Sequence, residues 1–371
     1  SRLEAQGGVR MLESDPDMAD ALAQAHQRHA QAHAGHRVAV LEARSVAGGC
    51  GQTVRVGDFS FSAEMQYLMG CGEGGVVHRW LDGLGIAKDI AFQSLDRDGY
   101  DRIDLGDFRF RIPCGEASLE QRLLETFPGD RDGILGLFAV MRGMRAEAMG
   151  KSFDTEHVLA NPFEFRDTLL YGPWPATRVF EHFGLSPRLR AVLAGQCGDI
   201  GLPPSEEPFL CVQALLSGYG ESAHFPRRGM GHFVDTVVAK LRSCGGEVFF
   251  DTPVTALRVE GQRVTAVETP SGDFRAALVV SNMDPALTMR MIDGASVPRY
   301  EQSASCFTLL LGLDTDLRAQ GFGGFNVWSY PEEDIDEVIR RTQDGHDYRD
   351  PFFFFCTPSL HTEPGTLAPP G

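Results

Sequence analysis

One short stretch of the chain constrains its fold more than any other. It runs from Gly35 to Gly49 and reads GHRVAVLEARSVAGG, an apolar strand that ends on the acid Glu42 and is followed by the glycines Gly48 and Gly49. In a doubly wound parallel sheet, an acid at the carboxyl end of the second strand accepts hydrogen bonds from the hydroxyls of an adenosine ribose. Paired glycines let backbone amides approach a pyrophosphate. The stretch therefore predicts an α/β fold with half of a dinucleotide site. The alternative is an ordinary buried strand with a glycine-rich turn.

The companion half of such a site is not visible in the sequence. A G-x-G-x-x-G turn normally joins the first strand to the first helix, because a tight turn against a pyrophosphate excludes side chains. The chain instead reads GGVRMLESDPD from Gly7 to Asp17, which predicts a short strand and then a helix that begins at Ser14. Acids at a helix amino terminus repel a diphosphate. We therefore expect weak retention of the cofactor and an amino end that is shortened or altered.

Charge and composition exclude several classes of partner. The 371 residues carry a net charge of -17, so the chain lacks the basic surface that a nucleic acid requires. No apolar run approaches the roughly 20 residues that span a bilayer, which leaves the cytoplasm as the default location and membrane association or a plastid as open alternatives. Eight cysteines without a C-x-x-C pair predict free thiols rather than zinc ligands or disulfides.

A second landmark runs from residue 225 to residue 285. It opens on FPRRGMG and continues as an amphipathic helix with Phe233, Val237 and Leu241 on one face. A strand from Glu247 to Asp251 and a meander with turns at EGQ and SGD follow, and the segment LVVSNMDP closes it. The whole resembles the middle segment of the phytoene desaturase, carotenoid isomerase and retinol saturase family of flavoproteins, which is related to the amine oxidases.

The resemblance implies a fold and a set of cofactor contacts. The fold is α/β: a Rossmann-like FAD-binding domain, incomplete in this chain, with an interleaved α+β substrate domain. The implied boundaries are 1–70 and 225–295 for the FAD-binding parts and 71–224 and 296–371 for the substrate domain, the first of these mostly helical. Family members carry a further glycine-rich closing segment, and we expect the chain to stop before it. The implied FAD contacts are Glu42, Ala43, Gly48, Gly49, Asn282 and, through its backbone at the adenine, Val254.

One branch of the family fits best. After the glycine pair the chain has CGQT and then FSFSAEMQYLMG from Phe59 to Gly70, which is similar to the G-G-C-x-x-T and F-x-F-D-x-G-x-H-Y segments of retinol saturase-like enzymes. Here Glu64 stands in place of a glycine and Gln66 in place of a histidine, and Tyr67 matches. These three are the candidate substrate residues. We expect Glu64 to lie between the flavin ring and a substrate tunnel and to be protonated, paired with an arginine or turned to water.

The region from Pro113 to Tyr219 predicts mostly helices. One of them, from Ile134 to Met144, is very apolar. It could line a tunnel for a long hydrocarbon or touch a membrane surface, but plain packing against neighbouring helices explains it as well. The run from Phe352 to Phe355 has the same ambiguity, since it suits a strand buried on both faces or a lipid-binding wall.

Two tempting sites are discounted. The histidines His26, His29, His33 and His36 are spaced as on a helix, but without a third ligand in register they predict a solvated face, and we expect no metal site. Cys50 adjoins the glycine pair without a second thiol or a base nearby in sequence, so we interpret it as a packing residue.

The resemblance implies a FAD-dependent oxidoreductase that acts on carbon–carbon bonds of an apolar isoprenoid polyene, by desaturation, saturation or isomerisation. The flavin carries such chemistry, so no catalytic side chain is assigned. NAD(P) is an open choice as electron donor, and a peripheral membrane contact is open as well. Two rivals remain: a flavin amine oxidase relative, and a truncated, non-catalytic paralogue that binds an apolar ligand.

Overall fold

The computed structural model describes residues 36–149, 155–292, 294–297, 304–343, 345 and 347–369. Its strands are β1 (Ala39–Leu41), β2 (Thr53–Val56), β3 (Phe59–Ser62), β4 (Phe92–Ser94), β5 (Asp101–Leu105), β6 (Phe108–Ile112), β7 (His224–Pro226), β8 (Glu247–Phe249), β9 (Ala256–Glu260), β10 (Arg263–Thr269), β11 (Gly272–Phe274), β12 (Asn326–Tyr330) and β13 (Phe353–Phe355). Its α-helices are α1 (Val76–Gly83), α2 (Glu116–Thr126), α3 (Arg131–Ala148), α4 (Thr155–Ala160), α5 (Arg166–Tyr171), α6 (Ala176–His182), α7 (Pro187–Leu193), α8 (Phe209–Ser222), α9 (Gly229–Ser243), α10 (Pro285–Arg290) and α11 (Ile335–Gln343). The predicted strand and helix of Gly7–Asp17 and three of the four histidines lie outside the described residues.

Strands β1 and β8 form a parallel pair, as the dinucleotide interpretation requires. Ala39 pairs with Glu247 and Leu41 with Phe249. Strand β8 is shorter than the predicted Glu247–Asp251 strand because the chain turns at Asp251, which has a positive φ of 50°. The turn carries the chain back across the end of β1.

Helix α9 leads into β8 and confirms the predicted amphipathic helix. Phe233, Val237 and Leu241 are buried on its inner face. Gly245 ends the helix with a φ of 82°, in the left-handed region that glycine favours. The predicted meander follows as the antiparallel sheet β11-β10-β9, with turns at the two predicted positions.

Helices α2 to α8 form the helical part that the sequence predicts. In α3 the side chains of Ile134, Leu137, Phe138, Met141 and Met144 are buried. Leu135, on another face of the same helix, is 36% exposed. This division is typical of a helix that packs one face against its neighbours, so packing accounts for the apolar pattern of α3.

A mixed sheet of order β13-β12-β5-β6 packs against these helices. Strand β12 runs parallel to β5 and antiparallel to β13. Strand β13 lies at the edge of the sheet, and Phe353 is 54% exposed whereas Phe354 and Phe355 are half-buried. Of the two interpretations left open for this run, burial on both faces therefore does not hold at Phe353.

The thiols match their prediction. All eight cysteines are free; Cys71, Cys114 and Cys197 are buried, whereas Cys50 and Cys306 are exposed. Over the described part of the chain, no helix is both long enough and apolar enough to cross a bilayer.

Candidate cofactor and substrate site

Glu42 lies at the carboxyl end of β1, where the backbone of the turn after β8 passes beside it. Its amide donates to the carbonyl of Phe249 at 2.9 Å, and its carbonyl accepts from the amide of Thr252 at 2.9 Å. Its carboxylate Oε1 accepts from the amide of Arg44 at 2.8 Å. The structure therefore places the predicted ribose acid at the same edge as the residues just before Val254.

The glycine pair forms an open turn close to this edge. Gly48 has a φ of 119°, and a Cβ there would lie 2.9 Å from the amide nitrogen of Gln52. Gly49 has a φ of 54°, and a Cβ there would meet nothing within 4 Å. Both backbones favour glycine, and Gly49 faces open space into which a bound group could fit.

The other residues predicted to contact the cofactor are Ala43, Val254 and Asn282. Ala43 is exposed and Val254 is half-buried, both at the edge that carries Glu42. Asn282 is exposed and precedes α10, whose first turn is capped by the Asp284 carboxylate at 2.8 Å from the amide of Leu287. Between described residues, no hydrogen bond links Asn282 to Glu42.

Backbone hydrogen bonds connect the glycine turn to the candidate substrate segment. The amide of Ala63 donates to the carbonyl of Gln52 at 3.0 Å, and the amide of Glu64 donates to the carbonyl of Cys50 at 3.2 Å. A Cβ on Gly51 would lie 3.2 Å from the sulfur of Met65. Residues 63–65 are therefore held directly against the turn that follows the glycine pair.

The side chain of Glu64 is exposed, which is one of the three states expected for it. A hydrogen bond from Cys50 to the Glu64 carboxylate, together with burial and the negative charge of Glu64, raises the pKa of the Cys50 thiol to about 11. The interpretation of Cys50 as a packing residue is wrong, because the thiol is exposed beside a carboxylate that the fold, not the local sequence, brings to it.

Gln66 and Tyr67 lie deeper. The thiol of Cys356 donates to Gln66 Oε1 at 3.2 Å. The Tyr67 ring is stacked on Tyr219 with a centroid distance of 4.0 Å and lies 5.9 Å from the Phe354 ring. The segment thus passes from an exposed residue, Glu64, to a buried aromatic cluster within three positions.

At the end of this segment lies a carboxylate that sequence reasoning missed. Asp101, in β5, has no exposed surface and accepts hydrogen bonds from Tyr67, Gln196, Asn326 and Trp328. Burial raises the pKa of Asp101 to about 6, against the opposite effect of these hydrogen bonds. The only signal in the sequence is an acid at an inward position of an alternating strand.

A second buried acid lies in the helical part. Glu207 is fully buried, and neither of its carboxylate oxygens has a hydrogen-bond partner among the described residues. Burial, and then the negative charge of Asp199, raises the pKa of Glu207 to about 8. The carboxyl group is therefore protonated at neutral pH.

These residues fit one half of an adenine dinucleotide site. A strand-end acid, two glycines of positive φ and a backbone passing the same edge are what the ribose, the pyrophosphate and the adenine require. Among the described residues no cluster of His, Cys, Asp and Glu could hold a metal ion.

Comparisons with known proteins agree with this geometry. The family described as flavin containing amine oxidoreductase matches residues 30–304. An all-trans-retinol 13,14-reductase of Danio rerio is 22% identical over 88% of this chain and 59% of its own length, and a phytoene dehydrogenase of Streptomyces griseus is 26% identical over 91% and 67%. The all-trans-retinol 13,14-reductase of Rattus norvegicus is 24% identical over 83% of this chain and 55% of its own length, so the chain spans little more than half of the reductases that it matches.

Solved structures show the same fold at low identity. A protein from Pyrococcus furiosus superposes with a TM-score of 0.54 at 15% identity, covering 82% of this chain and 68% of that one. A putrescine oxidase variant superposes with a TM-score of 0.51 at 15% identity, covering 73% and 58%. These likenesses support the α/β fold class.

Proposed function

Because the chain belongs to the family of flavin containing amine oxidoreductases, we propose that it is a FAD-dependent oxidoreductase that adds or removes hydride at a carbon–carbon bond of an isoprenoid polyene. The observation that carries the proposal is the backbone connection between the glycine turn and the candidate substrate segment, through the amides of Ala63 and Glu64. It puts the elements suited to a nucleotide and those suited to an apolar substrate side by side.

In this proposal the chain holds the adenosine end of FAD at the edge of β1 and β8. The Glu42 carboxylate accepts hydrogen bonds from the ribose hydroxyls, and the amides at Gly48 and Gly49 approach the pyrophosphate. The backbone at Val254 contacts the adenine, and Ala43 and Asn282 line the same site. When bound, the flavin supplies hydride transfer. The residues of this chain bind the cofactor, orient the substrate and exclude water.

The substrate class is proposed from the aromatic cluster beyond Gln66. Tyr67, Tyr219, Trp328 and Phe354 form a continuous set of ring contacts, in which Trp328 and Phe354 lie 4.4 Å apart. Tyr67, Tyr219 and Trp328 are buried and Phe354 is half-buried, so the cluster is an apolar, water-excluding interior beside the candidate substrate segment, of the kind that suits a flat, conjugated molecule. Two relatives named for retinol and phytoene support the same class.

A peripheral membrane contact is proposed on the helical part. Phe163 is 94% exposed and Leu159 73% exposed. Leu210, which is also exposed, is joined to the end of α5 by a hydrogen bond of 3.1 Å from its amide to Gly172. An exposed apolar surface of this kind suits the membrane in which a polyene dissolves. Phe163→Ser should weaken flotation with phosphatidylcholine vesicles, whereas Phe307→Ser, which changes an equally exposed side chain elsewhere, should not.

The test of the cofactor site is a titration with FAD, followed by quenching of flavin fluorescence. We expect a dissociation constant in the high micromolar range for the parent and a roughly 10-fold weaker one for Glu42→Gln, because a charged acceptor of ribose hydroxyls is lost. Glu247→Gln is the matched control: it removes an exposed acid from the paired strand β8 and should bind like the parent. Equal binding by both variants would remove Glu42 from the site.

The same titration separates the remaining candidates. A chain that binds retinol but no FAD at about 1 mM is the non-catalytic binder, and a flavin that is reduced by putrescine but not by a polyene identifies the amine oxidase relative. NAD(P) as electron donor is tested by anaerobic addition of NADPH and loss of the flavin absorbance.

A further inference from the structure

Within the described ranges, the donors that bind the Asp101 carboxylate are all uncharged. Its Oδ2 accepts from Gln196 Nε2 at 2.7 Å, Trp328 Nε1 at 3.0 Å and the Tyr67 hydroxyl at 3.1 Å, and its Oδ1 accepts from Asn326 Nδ2 at 3.2 Å. A buried carboxylate with several donors tends to hold each of them in one geometry, because loss of any one leaves charge less well solvated.

The donors come from separate parts of the chain. Gln196 follows α7, and Asn326 and Trp328 belong to β12. Tyr67 differs from the other donors, because it is the last residue of the segment that the amides of Ala63 and Glu64 hold to the glycine turn. One end of that segment is held at the glycine turn, and the other end is held by Asp101 through the Tyr67 side chain and by two backbone hydrogen bonds between Leu68 and His224.

The Tyr67 ring has its own constraint. It is parallel to the Tyr219 ring within 9° and to the Phe354 ring within 20°. Stacking fixes the plane of the ring, but it permits sliding within that plane. The hydrogen bond to Asp101 removes this freedom, because it fixes the position of the hydroxyl.

We propose that Asp101 is a positioning residue of the proposed site and acts through Tyr67, holding residues 63–67 in one register between the glycine turn and the aromatic cluster. This inference rests on the proposed function. A displacement of about 1 Å between a cofactor and its substrate can slow a reaction on the order of 100-fold, so an anchor at the far end of this segment controls the alignment of the polyene.

Two single substitutions separate positioning from general stability. Tyr67→Phe keeps the stacked ring and removes only the hydroxyl, whereas Gln196→Leu removes a different donor to the same Oδ2 and leaves residues 63–67 and the aromatic cluster unchanged in sequence. Both should lower the melting temperature by similar amounts. Only Tyr67→Phe should accelerate amide hydrogen exchange at Ala63 and Glu64, by roughly 10-fold or more.

The double variant Asp101→Ala/Tyr67→Phe tests whether the two residues act together, because alanine has no side-chain acceptor for the Tyr67 hydroxyl. It should exchange at Ala63 and Glu64 no faster than Asp101→Ala alone, since the interaction is already lost in the single variant. Unchanged exchange in Tyr67→Phe, or equal acceleration in Tyr67→Phe and Gln196→Leu, would overturn the inference.

Polyene binding, followed by the fluorescence of retinol, connects the anchor to the site. Tyr67→Phe should raise the dissociation constant of retinol about 10-fold, and Gln196→Leu less than about threefold. If the parent binds neither FAD nor retinol, the proposed function fails, whereas the exchange experiment still decides whether Asp101 anchors the segment. If retinol binding is weakened equally in both variants, positioning through Tyr67 is refuted and the proposed function stands.

Discussion

Replacing Glu207 by glutamine should make this protein more stable at neutral pH, contrary to the usual effect of changing a buried residue. The carboxyl group is fully buried, and in the part of the chain that the structure describes neither oxygen has a hydrogen-bond partner. Its pKa is raised from 4.5 to about 8 by burial and by Asp199. The folded state therefore keeps a proton that the unfolded chain releases, and folding becomes less favourable as the pH rises.

The sign and size of the effect follow from that difference. Because the pKa of Glu207 is higher in the folded state, its stabilising contribution to the free energy of unfolding is complete below pH 4.5. That contribution is lost as the pH rises towards about 8. Each pH unit in this window costs about 1.4 kcal/mol, so at pH 7 the cost is about 3 kcal/mol. Glutamine is neutral in both states and does not carry this cost. The burial of its amide is a separate term, which does not depend on pH.

The assay is urea unfolding of the parent and Glu207→Gln between pH 4 and pH 8. The free-energy difference between variant and parent should shift in favour of the variant by about 3 kcal/mol from pH 4 to pH 7, while the titration of every other group is common to both proteins and cancels. The control is Glu206→Gln, whose side chain is exposed and lies 3.7 Å from Arg340. Its difference should stay within about 0.5 kcal/mol. A flat difference for Glu207→Gln over this pH range would refute the reasoning.

Gly48→Ala should destabilise the fold by roughly 1–3 kcal/mol, because the φ of 119° is strained for alanine and its Cβ would lie 2.9 Å from the Gln52 nitrogen; Gly129→Ala, where nothing lies within 4 Å, should change the melting temperature little, and equal losses would contradict this account. Glu64→Gln should lower the pKa of the Cys50 thiol from about 11, because it removes a carboxylate that binds the thiol and repels the thiolate. Labelling of the Cys50 thiol at pH 8, measured by mass spectrometry, should then be on the order of 10-fold faster than in the parent. An unchanged rate would show that Glu64 does not raise the pKa of this thiol.

Local patterns were enough to predict several elements of the fold. The apolar strand that ends on Glu42 and the helix that carries Phe233, Val237 and Leu241 both have the periodicity of their secondary structure. The parallel pairing of β1 with β8 followed from the requirement that two strands reach one adenosine, and the structure confirms it. The contacts of Glu42, Gly48, Gly49 and Val254 with a cofactor remain predictions.

Where the sequence pattern was ambiguous, the neighbours decided. The run from Phe352 to Phe355 is equally apolar at each position, but the fold packs Phe354 against Trp328 and Phe355 against Phe322 and leaves Phe353 54% exposed. Glu206 and Glu207 are adjacent acids, and the fold exposes the first and buries the second. Identical residue types at adjacent positions carry no local signal of which one faces the interior.

The sequence by itself determined the fold class, the main helices and strands and the edge at which a nucleotide is expected, because these depend on spacings of a few residues along the chain. Only the tertiary structure revealed the Asp101 network. Its inward position in β5 is visible as an alternating pattern, but its donors lie 34, 95, 225 and 227 positions away in the chain. Burial and hydrogen-bond partners at such separations arise from packing of the whole chain, and they decide the protonation of a carboxyl group that its own neighbours in sequence leave unspecified.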